Sequence, residues 1–136
     1  MKLRYYASAL VVLIVIFATG FTFRMQEKKP WPVPDKYKSM KNQVASDAES
    51  IAAGKALWST HCKSCHGVKG QGDGPKAAQL KTEPGDFSKA SEQVQSDGSL
   101  FYKTSEGRDD MPSFKKKIPD QDDIWSIVNY VRTLKK

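Results

Sequence analysis

The stretch His61-Cys62-Lys63-Ser64-Cys65-His66, followed by Gly67, contains both cysteines and both histidines of the 136-residue chain. These side chains are the usual ligands of metals and covalent cofactors, and here they fall in one short run. Such clustering indicates one chemical site rather than scattered structural residues. The expected fold follows from what this site binds.

The spacing Cys62-x-x-Cys65-His66 is the pattern of c-type haem attachment. Two thiols three positions apart can add to the two vinyl groups of one porphyrin, and the adjacent histidine is then placed to bind the iron. The sequence therefore predicts one haem c, covalently bound through Cys62 and Cys65, with His66 as an axial iron ligand.

Three other uses of a Cys-x-x-Cys pair are less consistent with the sequence. A thioredoxin-like dithiol normally lies in a βαβ context, and no strand pattern is present. A structural zinc site usually takes its four ligands from two separated pairs, whereas these residues are contiguous. A disulfide between Cys62 and Cys65 would close a very small loop and contribute little stability.

Elimination selects Met111 as the second axial ligand. Of the four methionines, Met1, Met25, Met40 and Met111, only the last follows the haem motif. It lies between Gly107 and Pro112, residues that favour a fixed loop. Ligation by His66 and Met111 would raise the reduction potential and leave no open iron position.

The net charge of +7 is concentrated near the N-terminus. Residues 1–47 carry eight basic and three acidic side chains, whereas residues 48–136 carry fourteen and twelve. A nucleic-acid-binding domain would need a basic surface of its own, so no nucleic-acid partner is expected. Basic residues beside an apolar stretch are more typical of a membrane contact.

That apolar stretch covers residues 5–23 and contains no charge. Its nineteen residues would span roughly 28 Å as a helix, close to the ~30 Å hydrocarbon core of a bilayer. We predict a transmembrane signal-anchor at residues 1–24. A cleaved signal peptide is the alternative, but no clear Ala-x-Ala site follows the apolar run.

Residues 25–47 are predicted to be an extended linker, because residues 30–34 read Pro-Trp-Pro-Val-Pro and the rest is polar and rich in lysine. Residues 48–136 are predicted to form an all-α domain that needs a cofactor to complete its small core. Its helices are expected from Ala48 to about residue 60 with a cap at Ser46, over residues 75–80 and 97–106, and from Asp120 onward.

With these features, residues 48–136 resemble the class I monohaem cytochrome c family of bacteria. The resemblance is carried by GKALWSTHCKSCHG (54–67), GQGDGP (70–75), GRDDMPSF (107–114) and IWSIVNYVRTL (124–134). It implies that the first and last helices cross, with Gly54 and Trp58 meeting Tyr130. It also implies that the carbonyl of Pro75 accepts a hydrogen bond from the imidazole of His66.

The function expected from the sequence is a membrane-anchored carrier of single electrons, not an enzyme. The domain would lie on the periplasmic side of the inner membrane, because haem c is attached to bacterial proteins of this family on that side. Its expected partners are a quinol-oxidising complex and a terminal oxidase or reductase. Two alternatives are a fixed subunit of a larger respiratory complex and, with an open iron, a haem-based gas sensor.

Three consecutive lysines, residues 115–117, follow Met111 closely. They either steer an acidic partner toward the haem edge or form an ordinary solvated charge run.

Overall fold

The computed structural model describes residues 30–136, and the predicted membrane span lies outside them. None of the helices in this described part is both long and apolar enough to cross a membrane. The chain divides into two units after Trp31, and residues 32–136 form the second unit. Its elements are α1 (Asp35–Lys38), α2 (Ala48–His61), α3 (Lys63–His66), a 3₁₀ turn (Ala77–Gln79), α4 (Ala90–Gln93), α5 (Asp97–Glu106) and α6 (Gln121–Thr133).

The prediction of an all-α domain is confirmed for these residues, which contain no β-strand but one isolated bridge between Arg108 and Met111. Local end signals account for the helix boundaries. Gly107 ends α5, and the side chain of Asp120 caps α6 by accepting from the backbone of Asp122. The cap of α2 is Asp47 rather than the predicted Ser46, because Asp47 and Ser50 form a reciprocal capping box.

Helices α2 and α6 cross in direct backbone contact, as the family resemblance implied. A Cβ atom added to Gly54 would lie 2.0 Å from the carbonyl oxygen of Ser126, so only glycine fits at this crossing. One turn further along, the rings of Trp58 and Tyr130 pack with their centroids 5.8 Å apart. The crossing places the end of α2, and with it the Cys-x-x-Cys-His motif, at a defined position on the core.

Helix α6 is the centre of the core and is buried almost all round. The predicted apolar face includes Ile124, Ile127 and Val128, each no more than 2 % exposed. Trp125, at 1 % exposure, lies off that face and stacks on Phe101 of α5 at 4.2 Å between ring centroids. An amphipathic stripe predicts only one buried face. Because the other faces of α6 are buried as well, the helix is covered by α2, by α5 and by a further segment.

That further segment is the second half of the predicted linker, residues 32–47, which is folded and not extended, whereas residues 25–29 of the predicted linker lie outside the described residues. From Val33 the chain folds onto the domain: Val33 is 7 % exposed, residues 35–38 form α1, and Tyr37, Met40 and Val44 pack against the core. The segment folds onto the domain because burying these apolar side chains is favourable, although the residues between them are polar. We call residues 32–47 the N-terminal strap.

The side chain of Asn129 fastens the strap to α6. Asn129 is 4 % exposed. Its Nδ2 donates to the carbonyl of Ala45 and to Ser50 Oγ, both at 3.1 Å, and its Oδ1 accepts from Asn42 Nδ2 at 2.8 Å. A buried amide with its hydrogen-bonding atoms satisfied is stabilising, whereas removing it leaves several buried groups without a partner.

We therefore expect Asn129→Ala to lower the free energy of unfolding by about 2 kcal/mol and to release the strap. Urea denaturation measures the first effect, and limited proteolysis within residues 32–47 measures the second. The control is Gln43→Ala on the exposed side of the same strap, which should change stability by less than about 0.5 kcal/mol. Equal stability of the two variants would show that Asn129 does not fasten the strap.

Candidate haem site

The Cys-x-x-Cys-His motif occupies one tight turn at the end of α2. The backbone bends at Cys62, and α3 follows at once. Within this turn the carbonyl of Cys62 accepts from the backbone N–H of Cys65 at 3.2 Å and of His66 at 3.0 Å. Side chains three and four positions apart on a helical turn share one face, so both sulfurs and the imidazole project from the same side of this turn.

The glycine-containing loop after the motif folds back over it. The backbone N–H groups of Gly72, Gly74 and Lys76 donate to the carbonyls of His66, Cys65 and Ser64, at 2.9, 3.2 and 2.8 Å. These bonds satisfy carbonyls at the end of a short helix that would otherwise lack partners. The loop thereby fixes the backbone that carries the predicted ligands.

The imidazole of His66 is held by two aromatic side chains. Its ring centroid lies 5.5 Å from that of Trp58 and 5.4 Å from that of Phe87. Trp58 is itself tied to the motif, because its Nε1 donates to the carbonyl of Gly67 at 3.0 Å. Phe87 is held beside the motif because its backbone N–H donates to the carbonyl of Gly70 at 2.7 Å. Phe87 lies in a segment without periodicity, so no sequence pattern identifies it as a neighbour of His66.

Burial lowers the pKa of His66 to about 4, and the backbone carbonyl of Pro84 offsets part of this effect. The imidazole is therefore neutral at pH 7, the form that can bind a metal. Its Nδ1 is buried and has no hydrogen-bond partner among the described residues.

The structure does not show the predicted hydrogen bond between His66 and Pro75. Pro75 is exposed in the turn before the 3₁₀ helix, and Nδ1 of His66 has no hydrogen-bond partner among the described residues. The acceptor role of Pro75 therefore stays a prediction.

Both cysteines are free thiols, and the one at the end of α2 is buried. Burial, with a smaller contribution from the neighbouring Cys65, raises the pKa of Cys62 to about 12. Dithiol oxidoreductases need a thiolate whose pKa is lowered by its surroundings. The environment of Cys62 is the opposite, and so is unlike that of a redox-active dithiol.

Met111 lies in a loop pinned to the end of α5. Residues 108 and 111 exchange two backbone hydrogen bonds, from Arg108 to Met111 at 2.8 Å and back at 2.9 Å. Beyond it, Phe114 is buried and Ser113 Oγ donates to the carbonyl of Ser105 at 2.6 Å. Met111 packs against the same core cluster as Cys62 and Trp58. Its role as an axial ligand opposite His66 stays a prediction.

A cavity of about 560 Å³ lies elsewhere, between α1, α5 and the segment that leads into α6. Tyr37, Met40, Phe101 and Ile118 are among its lining residues, which include neither cysteine, His66 nor Met111. This cavity is a gap beneath the strap, and the haem-binding motif is separate from it.

Comparison with known proteins agrees with this geometry. The sequence profile of the cytochrome c family matches residues 51–135, which is more than half of the chain. This chain belongs to the cytochrome c family, a family of electron-transfer proteins with covalently bound haem c. No curated protein sequence matches the chain.

Six chains of solved structures match this one, among them the following two. One belongs to the reducing HAO-like protein complex Kustc0457/Kustc0458 of Kuenenia stuttgartiensis, with 26 % identity and a TM-score of 0.62 over 81 % of this chain. The present chain spans about half, 53 %, of the length of that one. The other is KustC0563, a c-type cytochrome, with 32 % identity and a TM-score of 0.54, covering 61 % of this chain and 98 % of its own.

The residues of the motif fit a covalently bound haem. Two free thiols project from one turn beside a neutral imidazole, and the buried Nδ1 of that imidazole has no partner among the described residues. Thiols, imidazole and thioether are the donor types by which haem c is held. The chemistry of the site therefore agrees with the cofactor that the family implies.

Proposed function

We propose that this protein is a membrane-anchored c-type cytochrome that carries single electrons in a respiratory chain. One haem c would be bound covalently through Cys62 and Cys65, with His66 and Met111 as axial ligands. The observation that supports this most strongly is the single turn that presents both free thiols beside a buried, neutral imidazole.

When bound, haem c would supply an iron that can change between the ferric and ferrous states. The protein residues would hold its ligands in place. Trp58 and Phe87 pack against the imidazole. Backbone hydrogen bonds hold residues 107–114, the methionine loop, which carries Met111. A ligand set that does not move between the two oxidation states favours fast electron transfer, and two protein ligands leave no position for a substrate. The proposed protein is a carrier rather than an enzyme.

The membrane part of the proposal rests on residues 5–23, whose length and lack of charge suit a single span. We place the haem domain on the periplasmic side of the inner membrane, because covalent haem attachment takes place there. A quinol-oxidising complex and a terminal oxidase or reductase are the proposed electron donor and acceptor.

A fixed subunit of a larger redox complex is the second candidate, and two observations favour it. The similar chain with a TM-score of 0.62 belongs to a protein complex, and the match extends beyond residues 48–136, since it covers 81 % of this chain. The N-terminal strap also packs on the domain, so little of the predicted linker is left to give the domain reach. Purification from native membranes in mild detergent distinguishes a fixed subunit from a mobile carrier. A fixed subunit co-purifies with a partner in fixed ratio, whereas a mobile carrier does not.

The first experiment is an absorption series on the purified protein: oxidised, reduced, and reduced with carbon monoxide. A low-spin haem c spectrum that carbon monoxide does not change supports ligation by His66 and Met111. A strong change would indicate an open iron and favour the gas-sensor alternative. A protein without haem, from a host competent for haem attachment, would contradict the proposal.

The lysine run gives a further prediction about the electron-transfer partner. Lys115 forms an ion pair with Glu106, and Lys117 lies over the ring of Phe114 with its Nζ 5.7 Å from the centroid. Since Glu106 compensates the charge of Lys115, steering of an acidic partner should depend on Lys116 and Lys117. We expect Lys116→Gln with Lys117→Gln to slow electron transfer about threefold at low salt, with Lys115→Gln changing it less. Equal rates for all variants, measured by stopped flow with the native partner, would contradict steering.

A further inference from the structure

Asp110 joins two loops that are far apart in the sequence. Its Oδ2 accepts a hydrogen bond from the backbone N–H of Lys81 at 2.7 Å, across 29 positions of the chain. Asp110 directly precedes Met111, and Lys81 lies six residues before Phe87, whose ring centroid is 5.4 Å from that of the His66 imidazole. The bond therefore connects the loop of one predicted iron ligand to the segment that contacts the other.

The backbone of the loop around Asp110 is closely connected to that of Met111. Residues 108 and 111 are locked together by two backbone hydrogen bonds, with only Asp109 and Asp110 between them. Asp109 has a φ of 52°, a left-handed conformation that is uncommon for residues other than glycine. Gly107, with a φ of 69°, sets the start of the loop against the backbone of Pro112. We therefore expect a restraint on Asp110 to act on Met111 as well.

We propose that Asp110 is a positioning residue that keeps Met111 on the haem iron by holding its loop against the segment of residues 81–87, which contacts His66 through Phe87. The proposal rests on the function proposed above, in which Met111 is an axial ligand. A carboxylate that accepts from a backbone N–H forms a charge-assisted hydrogen bond, stronger than a neutral one. Because both residues are exposed, solvent screens the charge, and we expect an effect of the size of an ordinary hydrogen bond.

The test measures how readily an external ligand replaces Met111 in the ferric protein. Imidazole is titrated into the wild type and into Asp110→Ala, and its affinity is read from the absorption spectrum. We expect Asp110→Ala to bind imidazole about three- to tenfold more tightly, because the methionine loop leaves the iron more often. The red charge-transfer absorption of ferric iron bound to thioether sulfur should weaken in the same variant.

Two matched variants separate the hydrogen bond from the charge. Asp110→Asn loses the charge but keeps an acceptor oxygen, so its imidazole affinity should stay within about twofold of the wild type. Asp109→Asn removes the neighbouring charge together with its 3.5 Å ion pair to Arg108, and because such exposed pairs contribute little it should behave in the same way. Amide hydrogen exchange of Lys81 in the haem-loaded protein reports the bond itself, and it should become faster only in Asp110→Ala.

The outcomes distinguish this proposal from the one on which it rests. If the wild type lacks the thioether-to-iron absorption, Met111 is not a ligand and the proposed function needs revision. If the wild type has it but Asp110→Ala binds imidazole no more tightly, Asp110 does not position Met111. If Asp110→Asn and Asp109→Asn raise the affinity as much as Asp110→Ala, the effect is due to charge and the positioning role is wrong.

Discussion

Gly54→Ala is expected to destabilise the domain by about 3 kcal/mol, although alanine is the better helix former. A Cβ at this position would lie 2.0 Å from the carbonyl oxygen and 2.5 Å from the carbonyl carbon of Ser126. Both atoms belong to the backbone of α6, so no side chain can rotate to make room. Helices α2 and α6 would have to separate, and the core that they enclose would lose contacts along the whole crossing.

The sign of this effect is what makes the experiment informative. In an exposed helix, replacing glycine by alanine stabilises by roughly 1 kcal/mol, through helix propensity. The control is Ala53→Gly at the neighbouring exposed position of α2, which should cost about that amount and no more. Urea denaturation of the haem-loaded proteins, followed by far-ultraviolet circular dichroism, gives both values. A Gly54→Ala variant as stable as the wild type would mean that the helices do not cross in backbone contact.

The features that were predictable from sequence have causes that are local in the chain. The limits of α5 follow from Ser96 as a cap and from Gly107 as a terminator, and α6 begins after the cap at Asp120. The haem motif is also local, because its function depends on residues within one turn. Patterns of this kind can be recognised without knowledge of the rest of the fold.

The strap was not predictable for the converse reason. Its prolines and polar composition are those of a linker, and it is held by contacts that are distant in sequence. Asn42 and Asn129 are 87 positions apart, and neither residue stands out in its own segment. A contact of this kind depends on the crossing of α2 and α6, which brings α6 beside residues 42–45.

Within the site, the side-chain contacts of His66 are likewise not predictable from the sequence. The motif identified the histidine, but its neighbours Pro84 and Phe87 come from a loop without helical or strand periodicity. Such loops are placed by turn geometry and by side-chain packing, which a single sequence does not reveal. The family resemblance points to Pro75 as the acceptor for the imidazole of His66, and this role stays a prediction.

Met111→Leu is expected to change the redox chemistry more than any other single substitution outside the haem motif. Leucine is similar to methionine in volume, so the loop and core should tolerate it at a cost below about 1.5 kcal/mol. It has no sulfur, so one axial position would open. We expect the reduced protein to bind carbon monoxide and the reduction potential to fall by on the order of 0.1 V, because a thioether ligand raises the potential.

Two companion variants give this prediction its controls. Met40→Leu removes a second methionine that also packs against the core, and neither the potential nor carbon monoxide binding should change. Met111→His replaces the thioether by an imidazole, so the potential should fall on the same order while the iron stays closed to carbon monoxide. Potentiometric titration and absorption spectroscopy measure both quantities. If Met111→Leu keeps the wild-type potential and excludes carbon monoxide, another side chain must close the iron, and the lysines near the methionine loop become the ligands to test.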